Sequence, residues 1–495
     1  MADIQNGVMK SRMPRSVPYI IGNEIAERFS FYGLRSIMVT YMAVTFFNPT
    51  LNPALNVEAD AKANEMSHLF VTLAYFMPLL GGIMADWFLG KYRVILYVSI
   101  LYTIGHFVLS ISGSNFTIFS TGLIIIACCA GGIKSCVSAN VGDQFDKSNE
   151  HLLSKVYGWF YMSINTGGTL APLFIPLLKQ YYGPGIAFGV PGILMALATI
   201  IFWLGRKKYV KVPPAGIKKE NFVTVSFYAL MKFSVYSVKK LFGRKPGPKA
   251  WDAVAAKYSA RSIDGTKAVY RVLAVFAFTP IYWALWDQNL SEWLLQATRL
   301  DLTLVGNLKL LPEQVNFVNP LFLVLLIPVF NSVLFPFLEK RGIKVSPLRK
   351  IGAGLVIIAL CFVIIALLQQ RIDAGGHPSV WWQILAYILL AASEILVSVT
   401  CLEYAYTHSP KSMKSTMSAL YLLGISLGNY FDSLVNKSIA NKGFFSQYTG
   451  AKYYWLFIGI ISGFIVLYLL VAKSLPEKKY IGEETAAEID VNSAQ

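Results

Sequence analysis

The sequence predicts an all-α integral membrane protein of twelve transmembrane helices in two six-helix bundles. Three observations carry that prediction. The 495 residues are 55% hydrophobic and only 14% charged, where soluble domains sit near 45–50% apolar and about 25% charged. Mostly apolar stretches long enough to cross a bilayer, about 20 residues each, recur along the chain. They fall six and six around one long polar segment.

The spans are read at 17–47, 66–89, 93–112, 116–141, 153–178, 185–204, 267–290, 314–338, 347–371, 380–407, 412–438 and 452–473. An even number places both termini on one side. Lys91, Arg93, Lys147, Lys155, Lys340, Arg341, Lys344, Arg349, Lys350, Lys411 and Lys414 follow even-numbered spans, on the side of the basic N-terminal stretch with Lys10, Arg12 and Arg15. The opposite loops, such as 48–65, are nearly neutral. The bias of positive loops makes the basic side the cytoplasm, in a plasma or bacterial inner membrane. No small-residue cleavage site closes a short apolar core, so the first span is expected to stay as a helix. The organisation is then 1–204, an N-terminal six-helix bundle; 205–266, a cytoplasmic linker; 267–475, a C-terminal six-helix bundle; and 476–495, an acidic, small-residue tail expected to be disordered. This layout is that of the major facilitator architecture, where two bundles rock about a midplane site.

The net charge of +17 does not point to nucleic acid. Between Arg206 and Arg271 sixteen Lys/Arg stand against three acids, which is a cytoplasmic loop attracted to anionic membrane lipids. Inside it, Pro213-Pro214 and Lys245 to Pro248 are breakers, and Asn221–Phe242 reads as an amphipathic helix on the inner leaflet. The five cysteines (128, 129, 136, 361 and 401) lie in spans and form no CxxC. They read as packing residues, with no metal or cofactor implied.

The most informative stretch is Gly22–Arg35. It sets Glu24, Glu27, Arg28 and Arg35 inside the first span, and at about 100° per residue they share an arc of roughly 140° with Phe31 and Tyr32. The stripe is about 16 Å long at 1.5 Å per residue. Each charge at the bilayer centre costs roughly 2.5–3.5 kcal/mol, so four on one helix need a polar interior cavity or internal pairing. Counting along each helix from its cytoplasmic end sorts the buried charges into two layers. A lower one holds Glu24, Glu27, Arg28, Lys134 and Glu394; an upper one holds Arg35, Asp287 and His68, the last at the outer start of span two. Arg35 and Asp287, and Lys134 and Glu394, come from different halves, which suits a pair of alternating gates. Glu403, nine residues beyond Glu394, lies about 180° round the helix and reads as cytoplasmic-end packing or gating. His106 and His408 read as surface or interface positions.

Glu24-Ile-Ala-Glu27-Arg28-Phe29-Ser30-Phe31-Tyr32-Gly33 resembles the ExxERFxYYG signature of the proton-dependent oligopeptide transporter family, with Phe31 in place of the first Tyr. Gly81 to Arg93 is similar to that family's loop between helices two and three, Phe160 to Gly167 to its helix-five motif, and Glu394 to Lys414 to its helix-ten and -eleven region. The resemblance implies proton-coupled import of di- and tripeptides by a monomer. It implies that Glu24, Glu27 and Arg28 form the proton-linked cluster, with His68 and Asp287 also in proton coupling. Asn165, Asn319 and Glu394 would meet the peptide's amino end, Arg35 and Lys134 its carboxylate, and Tyr32, Tyr75 and Trp283 its side chains. Tyr421 stands where the family usually has Trp, which alters the pocket. The alternative on the same fold is a proton-coupled carrier of another small solute. A membrane enzyme is disfavoured, since no HExxH, GxSxG or phosphate-binding Gly loop sits in a suitable context.

Overall fold

The structure, a computed structural model, describes residues 13–146, 148–214, 216, 220–241, 250–410 and 413–474. The tail expected at 476–495 lies outside the described residues. The first half is built from α1 (Val17–Met42), α2 (Asn56–Met84), α3 (Lys91–Ser110), α4 (Phe116–Gly142), α5 (Leu153–Tyr182) and α6 (Pro184–Leu204). The linker holds α7 (Phe222–Leu241) and α8 (Ala250–Ala255). The second half continues with α9 (Ala260–Phe276), α10 (Thr279–Asp287), α11 (Glu292–Ala297), α12 (Val318–Val329), α13 (Phe335–Lys340), α14 (Pro347–Asp373), α15 (Trp381–Glu394), α16 (Thr400–Thr407), α17 (Lys414–Ala440) and α18 (Ala451–Ala472). A small hairpin pairs Thr303–Val305 with Leu308–Lys309.

These helices make twelve passages among the described residues. Eight are apolar enough to cross a membrane by composition, and α9 with the following helix, bent by 45°, makes a ninth. The remaining three, α1, α5 and α17, carry the polar stripes, and they lie on the seam between the halves: α17 packs on α2, α5 on α12 and α1 on α11. Polarity therefore lowers hydropathy in the helices that the fold shields from lipid. Each half has its own apolar core, one centred on α1–α6 and the other on α9–α18.

Small residues set the helix spacing, as expected where apolar burial gives no preference for protein over lipid. A Cβ on Gly131 of α4 would lie 2.3 Å from Met77 Cβ and 2.7 Å from Pro78 N of α2, and one on Gly81 would lie 2.7 Å from Gly132 Cα. This close approach fixes the turn that ends in Lys134. Within the second half, a Cβ on Gly428 would lie 2.2 Å from the Pro280 carbonyl oxygen, so α17 touches the backbone of α10. Wide turns with i→i+5 hydrogen bonding interrupt the passages at 43–47, 85–89, 330–334 and 395–399; such turns concentrate at functional positions. The last begins directly after Glu394.

Three expectations are corrected. Helix α2 begins at Asn56 and not at 66, because Asn56 to Glu65 is polar yet helical, so His68 is three turns inside the helix and not at its start. Span seven begins at Ala260 and is bent, with Pro280 entering the second segment. His106 and His408 are buried, at 0% and 6% exposure, with Nδ1 of His106 facing the Phe188 carbonyl at 3.0 Å. The linker helix α7 spans nearly the residues anticipated. Val225 and Ala229 pack on Val254 and Ile263, while Val223, Phe227, Leu230 and Phe233 are exposed. Ser259 and Ser262 donate to Glu220, which holds that carboxyl below its ordinary range and ties the linker to the start of α9.

Gly131→Ala is expected to lower the melting temperature in detergent, since overpacking costs about 1–3 kcal/mol. Gly82→Ala, whose Cβ would meet nothing within 4 Å, is the matched control and should hold or raise it. Equal melting of the two variants would contradict the packing described.

Candidate functional site

On the face bearing residues 48–55 the two halves are joined by ionic and polar contacts. Arg35 Nη2 of α1 meets Asp287 Oδ1 of α10 at 2.9 Å, both 1% exposed. Asn429 of α17 donates from Nδ2 to Asp287 Oδ2 at 2.6 Å, and its Oδ1 faces His68 Nδ1 at 2.8 Å. His68 Nε2 lies 2.9 Å from Ser291 Oγ. Lys179 of α5 donates to Glu313 Oε1 at 2.6 Å, and Thr40 of α1 donates to the same oxygen at 2.8 Å. Arg299 pairs with Asp60, and Asn64 donates to Glu292. This face is closed.

The opposite end of the seam differs. Among the described residues α4 and α5 make no extensive packing with α16 or α17. Tyr157, Trp159, Tyr161 and Met162 are exposed on α5. Between the two ends, Lys134 and Glu394 are half-buried. Lys134 Nζ sits 3.3 Å from the Phe31 ring centroid and 4.6 Å from that of Tyr75, with no hydrogen-bond acceptor. An ammonium over aromatic faces is attracted by the ring quadrupoles, and here its nitrogen is shielded from solvent. Glu394 Oε2 accepts from Trp286 Nε1 at 3.1 Å. Trp286 packs edge-on against Trp283, which packs edge-on against Tyr421, whose hydroxyl bonds Ser398. Asn319, buried on α12, turns its side-chain amide toward the Glu394 carboxylate.

The sequence-derived residues separate into groups. Glu24, Glu27 and Arg28 are brought together by α1 itself, with Arg28 Nε 2.7 Å from Glu24 Oε1 and 3.0 Å from Glu27 Oε2. Gly167 of α5 lies against them; a Cβ there would come 2.9 Å from Arg28 Cβ and 2.8 Å from Phe29 N. Tyr32 lies beside Gly168 and Pro320, at the contact of α1, α5 and α12. Asn165 is buried and donates to the Tyr161 carbonyl. Arg35, His68 and Asp287 belong to one closed-face network. Lys134 and Glu394 are not paired here: one faces rings, the other an indole. Glu403 is half-exposed and 3.9 Å from Lys350, at the end of the passage as expected. Glu403 and Glu394 meet different neighbours, Lys350 for the one and Trp286 for the other, and the wide turn at 395–399 lies between them.

Sequence reasoning missed Asp432, Asn429, Ser291, Lys179, Glu313, Asp60 and Arg299. The signal for one was present. Asn429, Asp432, Ser433 and Asn436 recur at helical spacing inside an otherwise apolar span, the same pattern that exposed the stripe on α1. The pairs at the closed face depend on which helix ends meet, which a single sequence does not state.

Comparison with known proteins adds the following. The model of the POT family matches residues 92–456. Peptide transporter 3 of Caenorhabditis elegans is 36% identical over 375 residues, covering 73% of this chain and 51% of the relative. Human solute carrier family 15 member 2 is 35% identical over 406 residues, covering 79% and 54%. The chain thus spans about half the length of these curated relatives. The crystal structure of the POT family transporter PepTSo superposes with a TM-score of 0.84 at 35% identity, covering 94% of this chain and 99% of that one.

Removing one partner of a buried ion pair strands the other charge, at a cost of about 3–5 kcal/mol. Asp287→Asn and Arg35→Met are each expected to lower thermal stability markedly, and the double variant Arg35→Met/Asp287→Leu to recover most of the loss. A double variant that loses the sum of the two single effects would show that the pair is not coupled.

Proposed function

The chain belongs to the POT family, and from that premise we propose that it is a proton-coupled symporter of di- and tripeptides working by alternating access. The observation that carries the reading is the seam. Acidic and basic groups from both halves meet across it, paired at one face and available midway toward the other. The halves 1–204 and 267–475 are the moving bodies, with the linker 205–266 between them. The closed face is the outer one, because the basic turns after α2, α4, α13 and α16 all lie at the other end; both termini are then cytoplasmic.

Peptide recognition follows from charge separation. A zwitterionic peptide presents a carboxylate and an ammonium at nearly fixed distance. Lys134, free of any carboxylate partner among the described residues, takes the carboxylate, and Glu394 takes the ammonium with Asn165 and Asn319 nearby in the seam. Tyr32, Tyr75 and Trp283 supply aromatic walls that tolerate varied side chains. Arg35 is committed to Asp287 in this conformation and becomes available to a peptide carboxylate only when the closed face parts. Protonation of Glu24 or Glu27 would release Arg28 to new partners. One charge moving through 100 mV supplies about 2.3 kcal/mol, enough for uphill uptake.

Glu394→Gln and Lys134→Ala are each expected to abolish uptake of a labelled dipeptide driven by an acid gradient in proteoliposomes, with monodisperse protein retained. Native-like uptake by both variants would overturn the site, and no acid-driven dipeptide uptake by the native chain would overturn the function.

A further inference from the structure

Asp432, on α17, is a buried titratable group that none of the roles above uses. It is 0% exposed, and among the described residues no ammonium or guanidinium pairs with its carboxylate, which the neutral Gln288 amide faces. Its nearest cationic candidate is His68, whose Nδ1 is 3.6 Å from Oδ2. The other charges around it are already committed. Arg35 on α1 is taken by Asp287 on α10. Asn64 on α2 serves Glu292 on α11. Tyr453 on α18 accepts from Asn436, one turn along from Asp432. Glu65 on α2 and Lys437 on α17 are partly or fully exposed and lie toward the surface. Gln288, beside Asp287, is buried and turns its side-chain amide toward Asp432.

Neutral His68 is fully satisfied where it stands, donating from Nδ1 to Asn429 and accepting at Nε2 from Ser291. An ionised Asp432 would then be met only by the neutral Gln288 amide, and a buried anion so thinly compensated costs several kcal/mol. We infer that Asp432 is a second proton-binding group of the closed face, holding one proton, directly or shared with His68, whenever the seam there is shut. In either arrangement the pair binds one proton more than the same two groups exposed to neutral water. Closure of this face is thereby linked to proton uptake from the side it faces, and parting of α2 from α17 releases that proton. This rests on the alternating-access reading and extends it, adding a proton site remote from Glu24, Glu27 and Glu394.

The test reads the seam itself. Dyes attached through non-natural side chains at Leu51 and Val305, both exposed on the closed face of opposite halves, report its closure by energy transfer in proteoliposomes across a pH series. For the native chain the closed-to-open ratio should fall as pH rises, by up to about tenfold per pH unit for each proton bound on closure. Asp432→Asn should remove about one proton's worth of that slope, and Asp432→Glu should restore it. Asp432→Thr serves if the Asn variant is not monodisperse. An unchanged slope in the neutral variant, or a native chain without slope, overturns the inference. Dipeptide uptake measured on the same vesicles separates the two readings: an Asp432-dependent slope without acid-driven uptake keeps this proton site and sinks peptide symport.

Discussion

The structure depends on opposite charges buried between its two halves, beside the close packing of α2 on α17. Arg35 and Asp287 are each almost wholly inaccessible, and each would be costly alone in a low-dielectric interior. Together they hold α1 against α10 and shut one face of the seam. Such a contact suits a moving interface better than apolar packing does. An apolar seam in a membrane gains little over lipid, whereas a charge pair is strong when closed and is compensated by water when open.

The same logic runs through the rest of the closed face. Lys179 with Glu313 and Thr40, Arg299 with Asp60, and His68 with Asn429 and Ser291 each take one partner from either half. At the other end, Lys134 and Glu394 are left without each other. In the function proposed above, their separation would leave room for a ligand with its own two charges.

Within each half the constraint is different. Glycine contacts bring helix backbones together, as Gly131 and Gly132 do for α2 and α4, and Gly167 and Gly168 do for α1 and α5. These contacts keep Arg28, Tyr32 and Lys134 at fixed positions within a rigid half.

The sequence by itself determined the helical membrane class, the six-and-six layout and the stripe on α1, because hydropathy and helical period are local properties that no partner alters. It also named Lys134, Glu394, Arg35 and Asp287, since an intramembrane charge is conspicuous wherever it falls. What only the tertiary structure decided is who meets whom. Arg28 is satisfied by its own helix, Lys134 rests on Phe31 and Tyr75, and Glu394 is met by Trp286, because these depend on helix rotation and on wide turns that shift register. The depth of His68 was misread because the polar start of α2 hid ten helical residues. Asp432 was legible as a charge but not as a neighbour of His68, since α2 and α17 are brought together only by the closing of the seam.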